Sequence, residues 1–518
     1  MQRLGLTQLV CLCLALSGGL EAATPSASPV PAGSRVKELS LEECLRLALE
    51  HNYDIQYARY QPKISETLLS GAYSYYDPTL NASAQQIKST QRGFFDPTTG
   101  VQAPDTIATV DQYSTGLRGQ LPTGLQYDIG WDVTFNRGQR DFFGLPGNFA
   151  NYNVDLGIRM TQPLLRNFWI DSGRAQILIN RKDLKISRYD LLFQIMRTVL
   201  AVQQGYYDLI AARDNVRVQE IAVELAERLV AENKKKVQVG TLAPLDEKQA
   251  EAQAASSRAA LITARAQVKV AENNLKNIIT DHYEQWQALT LRPAQKLLAI
   301  PEDFSLAQSW FNALTLRPDF NRLKTQLERQ GILVRLRHNQ VFPSLNLVGS
   351  YGRSGIDQAQ PLRGRASLNE AFSQVWNGDN PRYSFGAVFS IPLENRGARK
   401  NYQAAKQQLE QMEIQIRQLH QQIIVEVDNA IKLAQAAYES VQATRQAREY
   451  AEIALQAEQK KLDNGKSTSF NVLQFQRDLT AARSQEINAL ADYNKALAEL
   501  YFREGTILQK NGITVKVK

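Results

Sequence analysis

The sequence predicts a mixed α and β protein built from two tandem copies of one unit, each joining amphipathic β-strands to very long coiled-coil helices. Three observations carry that expectation. The chain aligns with itself over most of its 518 residues. Each copy holds segments in which apolar and polar residues alternate, the period of a strand with two unlike faces. Beyond those segments apolar residues recur every seven positions, the period of helices that supercoil.

At the N-terminus, Arg3 precedes an apolar run over residues 4–16 and a small-residue exit, Ser17-Gly18-Gly19-Leu20-Glu21-Ala22-Ala23. That order reads as a secretory signal peptide, residues 1–22, cleaved after Ala22 or Ala23. The run is shorter than the roughly 20 apolar residues of a membrane-spanning helix. Cys11 and Cys13 fall inside it, so Cys44 is left alone and no intramolecular disulfide is expected. Residues 24–34 are rich in Pro, Ser and Ala, so residues 23–39 read as a disordered leader. No later segment reads as a transmembrane helix, so membrane insertion requires a closed β-barrel.

The repeats come next. A shift of 225 places Val202 on Val427, Val216 on Val441, Lys235-Lys236 on Lys460-Lys461, Gly240 on Gly465 and Leu275 on Leu500. A shift of 265 places Ser40-Leu41 on Ser305-Leu306, Asp54 on Asp319, Pro78 on Pro343 and Leu80-Asn81 on Leu345-Asn346. Pro163 pairs with Pro392 at a shift of 229, so the first copy carries about 36 extra residues between Asn81 and Pro163. The first copy spans 40–285, with strands at about 79–162 and long helices at about 174–280. A linker, 286–304, leads to the second copy, 305–506, with strands at about 343–392 and long helices at about 397–503. A tail, 507–518, follows.

Each copy opens on a helix capped by Ser40 or Ser305, whose hydroxyl can accept from first-turn amides. Glu43 completes a capping box in the first copy. The strand segments follow. Tyr127, Ile129, Trp131, Val133 and Phe135 alternate with Asp128, Gly130, Asp132 and Thr134; Val154, Leu156, Ile158 and Met160 form a second series, and Tyr383, Phe385, Ala387 and Phe389 a third. About 10 residues with one apolar and one polar face suit a barrel strand between lipid and lumen. A half-buried strand of a soluble sandwich has the same period. The extra residues hold two such segments, 113–120 and 125–135, around the turn signal Leu121-Pro122-Thr123-Gly124. This hairpin either widens a barrel to six strands per chain, stands on its rim, or is a soluble loop.

The helices tilt the balance toward a barrel. Val202, Leu209, Val216, Val223, Val230 and Val237 recur every seven residues, matched by Val427, Ala434, Val441, Arg448, Leu455 and Leu462. Sixty helical residues span about 90 Å, more than a compact domain can bury. The second helices are alanine-rich, which permits close packing.

Taken with their order, several strings resemble the TolC-like outer-membrane efflux family. They are Ser40-Leu41-Glu42-Glu43-Cys44-Leu45, Thr161-Gln162-Pro163-Leu164-Leu165, Leu316-Arg317-Pro318-Asp319, Phe342-Pro343-Ser344-Leu345, Ser390-Ile391-Pro392-Leu393, and Asn464-Gly465 leading to Asn471-Val472-Leu473. The resemblance implies a homotrimer in the outer membrane of a Gram-negative cell. Each chain would give four strands to one shared barrel in contact with outer-membrane lipid, and its helices would form a periplasmic tunnel. The tunnel tip would dock a periplasmic adaptor protein and an inner-membrane pump. In this sequence the docking turns are Val239, Gly240, Thr241, Leu242 and Asn464, Gly465, Lys466, Ser467; the bland reading of each glycine is a helix C-cap. The family narrows its tip with acidic rings, but the matching second-copy positions, Asn471 and Gln474, are neutral here. In the first copy Asp246 matches Asn471 and is followed by Glu247. Asp246 either joins a threefold ring closing the aperture or is a first-turn acid favoured by the helix dipole.

Other classes fare worse. The net charge of +8 is spread over 60 basic and 52 acidic residues, not gathered into the patch a nucleic acid needs. His51, His282, His338 and His420 show no metal spacing, and no nucleophile or phosphate-binding motif appears. No enzyme activity, cofactor or metal is expected. A periplasmic coiled-coil scaffold would have no use for lipid-facing aromatics such as Tyr127, Trp131 and Phe135. The exported cargo (drugs, metal ions or proteins) is left open.

Overall fold

The computed structural model describes residues 36–98, 100–142, 145–240, 242–359 and 365–515. The expected signal peptide and most of the leader, with Thr241, lie outside them. In chain order the elements are β1 (Val36–Leu39), α1 (Leu41–His51), α2 (Tyr53–Ala72), β2 (Thr79–Gln91), the short pair β3 (Phe95–Asp96) and β4 (Val101–Gln102), β5 (Thr106–Gln120), β6 (Gln126–Phe142) and β7 (Leu145–Pro163). There follow α3 (Ser172–Gln238), α4 (Pro244–Ile279), α5 (Tyr283–Trp286), β8 (Thr290–Pro293), α6 (Leu306–Leu316), α7 (Pro318–Asn339), β9 (Ser344–Gln358) and α8 (Leu368–Asn377). The chain ends with β10 (Pro381–Ser390), α9 (Arg396–Asp463), α10 (Ser469–Glu504) and α11 (Ile507–Lys510).

Several sequence expectations need correction. The end of the presumed leader is ordered: β1 pairs in parallel with β8, a strand within the presumed linker. Tyr206 donates to the Leu39 carbonyl from below that pair at 3.2 Å. The tail begins as α11, with Ile507 and Leu508 buried and Asn511 accepting from Gln203 at 2.9 Å. The Ser40–Glu43 capping box forms in full, but Ser305 makes no side-chain cap bond. Its would-be box partner at the third helical position is Gln308, whose amide turns to Asn312 at 3.0 Å instead.

Six strands form one antiparallel sheet in the order β10-β9-β7-β6-β5-β2, where the family resemblance implied four. Segment 113–120 lies in β5 and all of 125–135 except Leu125 lies in β6, and these two strands separate β2 from β7. The alternation sorts by face. One face carries Tyr127, Ile129, Trp131 and Val133 of β6 beside Met160, Ile158, Leu156 and Val154 of β7, with Tyr351 of β9 and Tyr383 and Phe385 of β10 in register. The other carries Asp128, Asp132, Asp155, Arg159, Ser350, Arg382 and Ser384, around a hollow of about 560 Å³. Arg118 holds Asp128 at 2.9 Å there, and Arg382 pairs with Asp155.

Below the sheet, α3 and α9 run for 67 and 68 residues, about 100 Å each at 1.5 Å per residue. α4 packs on α3 and α10 on α9. The seven-residue stripe of α3 is fully buried only at Val202 and Leu209. Val216, Val223, Val230 and Val237 are half-buried, and the buried line moves to Val218 and Leu229. With Ala226 and Asn233 also buried, the line drifts around the helix, as a 3.6-residue period drifts from a strict heptad. On α9, Val427, Ala434, Val441 and Leu455 stay buried. Arg448 at the same stripe instead reaches Glu486 of α10 at 2.7 Å.

The main core gathers α1, α3, α4, α10, β8 and α11 around Tyr206, Leu275 and Ile279. Cys44 packs in it fully buried, and burial pushes its thiol up to about 12, so it remains protonated and inert. A second core joins α6, α7, α9 and α10.

Candidate aperture and docking turns

The far end of the helices carries the turns that sequence analysis singled out. At the end of α3, the Val239 amide donates to the Lys235 carbonyl at 3.2 Å and the Gly240 amide to Val237 at 3.0 Å. Gly240 has φ +75°, a left-handed conformation that costs glycine nothing. The end of α9 repeats this with Gly465 at φ +70°, its amide on Leu462 at 3.0 Å and the Lys466 amide on Lys461 at 2.8 Å. Those two bonds are a Schellman closure. Lys235-Lys236 and Lys460-Lys461 lie in the last turns, where cations favour the helix dipole. Neither glycine has a neighbour within 4 Å of where a Cβ would stand. Val239 is 75% exposed and Asn464 and Lys466 are exposed; Leu242 and Ser467 are half-buried.

The helices that follow start differently. Thr468 caps α10 by accepting from the Asn471 amide at 3.4 Å. Its counterpart before α4 is Ala243, which cannot cap. There Pro244 occupies the first helical position and Asp246 and Glu247 the first turn, which suit a helix start without a side-chain cap. Asp246 and Glu247 are half-buried; Asn471 and Gln474 are exposed. Gln474 lies in a local chain, accepting from Arg477 at 2.6 Å and donating to Asp478 at 3.1 Å.

Two polar residues that sequence reasoning passed over hold this end together. Asn233 on α3 is fully buried; its amide donates to the Asp246 carbonyl at 3.3 Å and its oxygen accepts from Ser469 at 3.2 Å. It thus ties the first turns of α4 and α10 to the same point. At the repeat shift of 225 stands Glu458 on α9, which accepts from Ser467 and, at 2.9 Å, from Lys461. Those hydrogen bonds hold its carboxyl below the usual range. Lys461 is thereby engaged within its own helix. The pairing of Asn233 with Glu458 under that shift was the available signal.

Among the described residues no cluster of three or more His, Cys, Asp or Glu could hold a metal, and no helix is long and apolar enough to cross a membrane.

Comparison with known proteins adds the lineage. The family model described as Outer membrane efflux protein matches residues 129–280 and 311–506. The chain is 24% identical over 399 residues to the outer membrane protein TolC of Escherichia coli (strain K12), covering 76% of each. It is 24% identical over 342 residues to the outer membrane efflux protein BepC of Brucella suis biovar 1 (strain 1330), covering 65% of this chain and 69% of BepC. Its fold is similar to the CmeC outer membrane channel of Campylobacter jejuni, with TM-score 0.62 and 16% identity over 90% of this chain and 86% of that one. It is also similar to VceC of Vibrio cholerae, with TM-score 0.63 and 15% identity over 90% and 96%.

Proposed function

The chain belongs to the outer membrane efflux protein family, as a TolC-like outer membrane factor, and from that premise we propose that three copies share one β-barrel over a common helical tunnel. It resides in the Gram-negative outer membrane with its helices in the periplasm, and serves as an exit duct for efflux or secretion. In this reading it completes a tripartite efflux pump or a type I secretion system, exporting small molecules or proteins. The order helix, strands, long helix, turn, long helix in both halves supports their descent from one duplicated unit. The observation that carries the reading is the six-stranded sheet with one apolar and one charged face, standing on helices about 100 Å long. Such a face is at home in lipid, and such a sheet needs neighbours to remove its two edges.

The turns at Gly240 and Gly465 are the docking points for a hairpin of a periplasmic adaptor, which brings the inner-membrane pump. Open space beside both glycines supports close backbone approach. Gly240→Trp and Gly465→Trp should each abolish export while the protein still runs as a heat-modifiable, detergent-requiring trimer. Gly240→Asn, which tolerates the left-handed turn, should retain export. Full export in both tryptophan variants would exclude the turns as the docking site, and a detergent-free monomer of full helicity would sink the channel reading itself.

A further inference from the structure

We propose that the trimer closes as an eighteen-stranded barrel, with six strands from each copy and β2 of one copy pairing antiparallel with β10 of the next. The proposal rests on the trimeric channel reading and deepens it by setting the width of the exit.

The inserted hairpin is wall, not ornament. β5 pairs with β2 from Thr106 to Arg118 and with β6 from Ile107 to Gln120, while β6 pairs with β7 along its whole length. The faces continue through it without a break. Leu80, Leu117, Ile129, Ile158, Tyr351 and Tyr383 form one row across all six strands on the apolar face. A hairpin standing above the membrane would have no use for Leu117 and Ile129 in that row. On the opposite face the adjoining row is Gly116, Gly130, Gly157 and Gly352 on four neighbouring strands. A Cβ at Gly130 would meet the Thr115 carbonyl at 2.7 Å, and one at Gly352 the Leu156 carbonyl at 2.9 Å. The row lets the four strands bend together toward the charged face, and two of them are the inserted pair.

The base of the hairpin is fastened at the level where the other strands meet the helices. Gly124, at φ +88°, closes the turn onto Leu121. Gln120 donates to Asp171, the N-cap of α3, at 2.6 Å; Gln162 donates to the Thr123 carbonyl at 3.1 Å, and Arg174 to the Pro122 carbonyl at 3.4 Å.

The edges then decide the closure. β2 and β10 are the outer strands, and every residue of both is exposed. The smallest transmembrane barrels have about eight strands, so six cannot close on themselves. β2 leaves α2 and β10 leads into α9, so the two edges run in opposite directions and match antiparallel between copies. At a strand spacing of about 4.8 Å and a tilt of about 40°, eighteen strands give a wall about 36 Å across, against about 24 Å for twelve. With lumen side chains taking about 5 Å on each side, the opening is about 26 Å rather than about 14 Å. That admits a helical hairpin, at about 10–12 Å per helix, where the narrower barrel admits one helix. The size limit on cargo then lies at the periplasmic tip and not in the barrel.

Cysteine pairs in the full-length protein in outer membranes test this. Ser83 and Ser114 face each other with their hydroxyl oxygens 2.6 Å apart, so Ser83→Cys with Ser114→Cys should oxidise within one chain. Ser83→Cys combined in turn with cysteine at Ser384, Gly386, Val388 or Ser390 should give, at one register, a cross-linked ladder ending at three copies. Polyethylene glycols added from the outer side of a planar bilayer should enter the barrel up to a size fitting about 26 Å. A ladder of three with no Ser83–Ser114 link and a cut-off near 14 Å would overturn the eighteen strands while leaving the trimer standing. No ladder at any register would overturn both.

Discussion

Arg317 shows how one residue can carry both a family mark and a structural duty. It is 6% exposed at the break between α6 and α7. Its guanidinium grips Asp319 through two bonds, at 3.1 and 2.7 Å, and reaches Glu426 of α9 at 2.8 Å, which Arg503 of α10 also holds at 3.1 Å. Burial pushes Asp319 and Glu426 up, but the hydrogen bonds and charge of Arg317 outweigh it and hold both carboxyls below the usual range. Depressed carboxyls contribute stability that is complete above their ordinary values, near 4, and is lost as pH falls through the lowered ones. Arg317→Ala leaves part-buried Asp319 without its cation and Glu426 with Arg503 alone, and should cost about 3 kcal/mol at neutral pH. Because those carboxyls then titrate nearer their ordinary values, the variant should differ far less from the parent at pH 3. Denaturation followed by helical circular dichroism at both pH values checks this; an equal deficit at each would remove the ionic explanation. The string Leu316-Arg317-Pro318-Asp319 was readable in the sequence, but its partners stand 109 and 186 residues away, and no local pattern announces them. Asn233 was hidden in part for the same reason, since Ser469 stands 236 residues away.

At the scale of elements, the strands and long helices were legible because their periods persist for many residues and each appears in both copies. The short elements were not. α8 escaped notice between β9 and β10, although Leu368, Ala371, Phe372, Val375 and Trp376 have helical spacing; an expectation of barrel strands over 343–392 overrode it. It lies on the apolar face of the sheet, with Ala371 and Val375 buried against Val154 and Phe372 edge-on to Trp131 at 6.1 Å. Gln374 satisfies both the amide and the carbonyl of Ile356, and Arg353 donates to the Trp376 carbonyl at the helix end. The seat depends on Gly355, where a Cβ would stand 1.8 Å from the Ala371 carbonyl oxygen. Gly355→Val should therefore lift α8 and forfeit the burial of Ala371, Val375 and Val154, about 2–5 kcal/mol of docking. Protease treatment of whole cells should then cut within residues 365–380 at least tenfold faster, with trimers intact. Unchanged cleavage would mean that α8 is held by something other than this face. β1, β8 and α11 were missed on other grounds: each has only four residues and owes its form to the core beneath it, which overrides weak local propensity.

At the scale of the whole molecule, symmetry multiplies whatever one chain presents at its tip. In the proposed trimer Asp246 would form a ring of three carboxylates, and Asn471 and Gln474 neutral rings. Asn233 fixes the height of Asp246 by holding its carbonyl, and Ser469 shares that anchor two residues before Asn471. One buried amide therefore sets the first turns of α4 and α10 against each other, and with them the two proposed rings. A carboxylate ring in a narrow mouth with low-dielectric walls focuses its field and attracts cations. Asp246→Ala removes that charge without touching the carbonyl that Asn233 holds, so the turn should stay folded while the ring is lost. In planar bilayers the variant should show higher conductance, by roughly two- to threefold if the acid also closes the mouth, together with a reversal potential shifted toward anions under a salt gradient. Asn471→Asp would add a second charged ring and should shift the reversal potential the other way, most strongly at low salt, where screening is weakest and the Debye length reaches about 30 Å at 0.01 M. The double variant should return toward the parent, because one ring replaces the other. If neither single variant moves conductance or reversal potential, the constriction lies away from this end of α4 and α10.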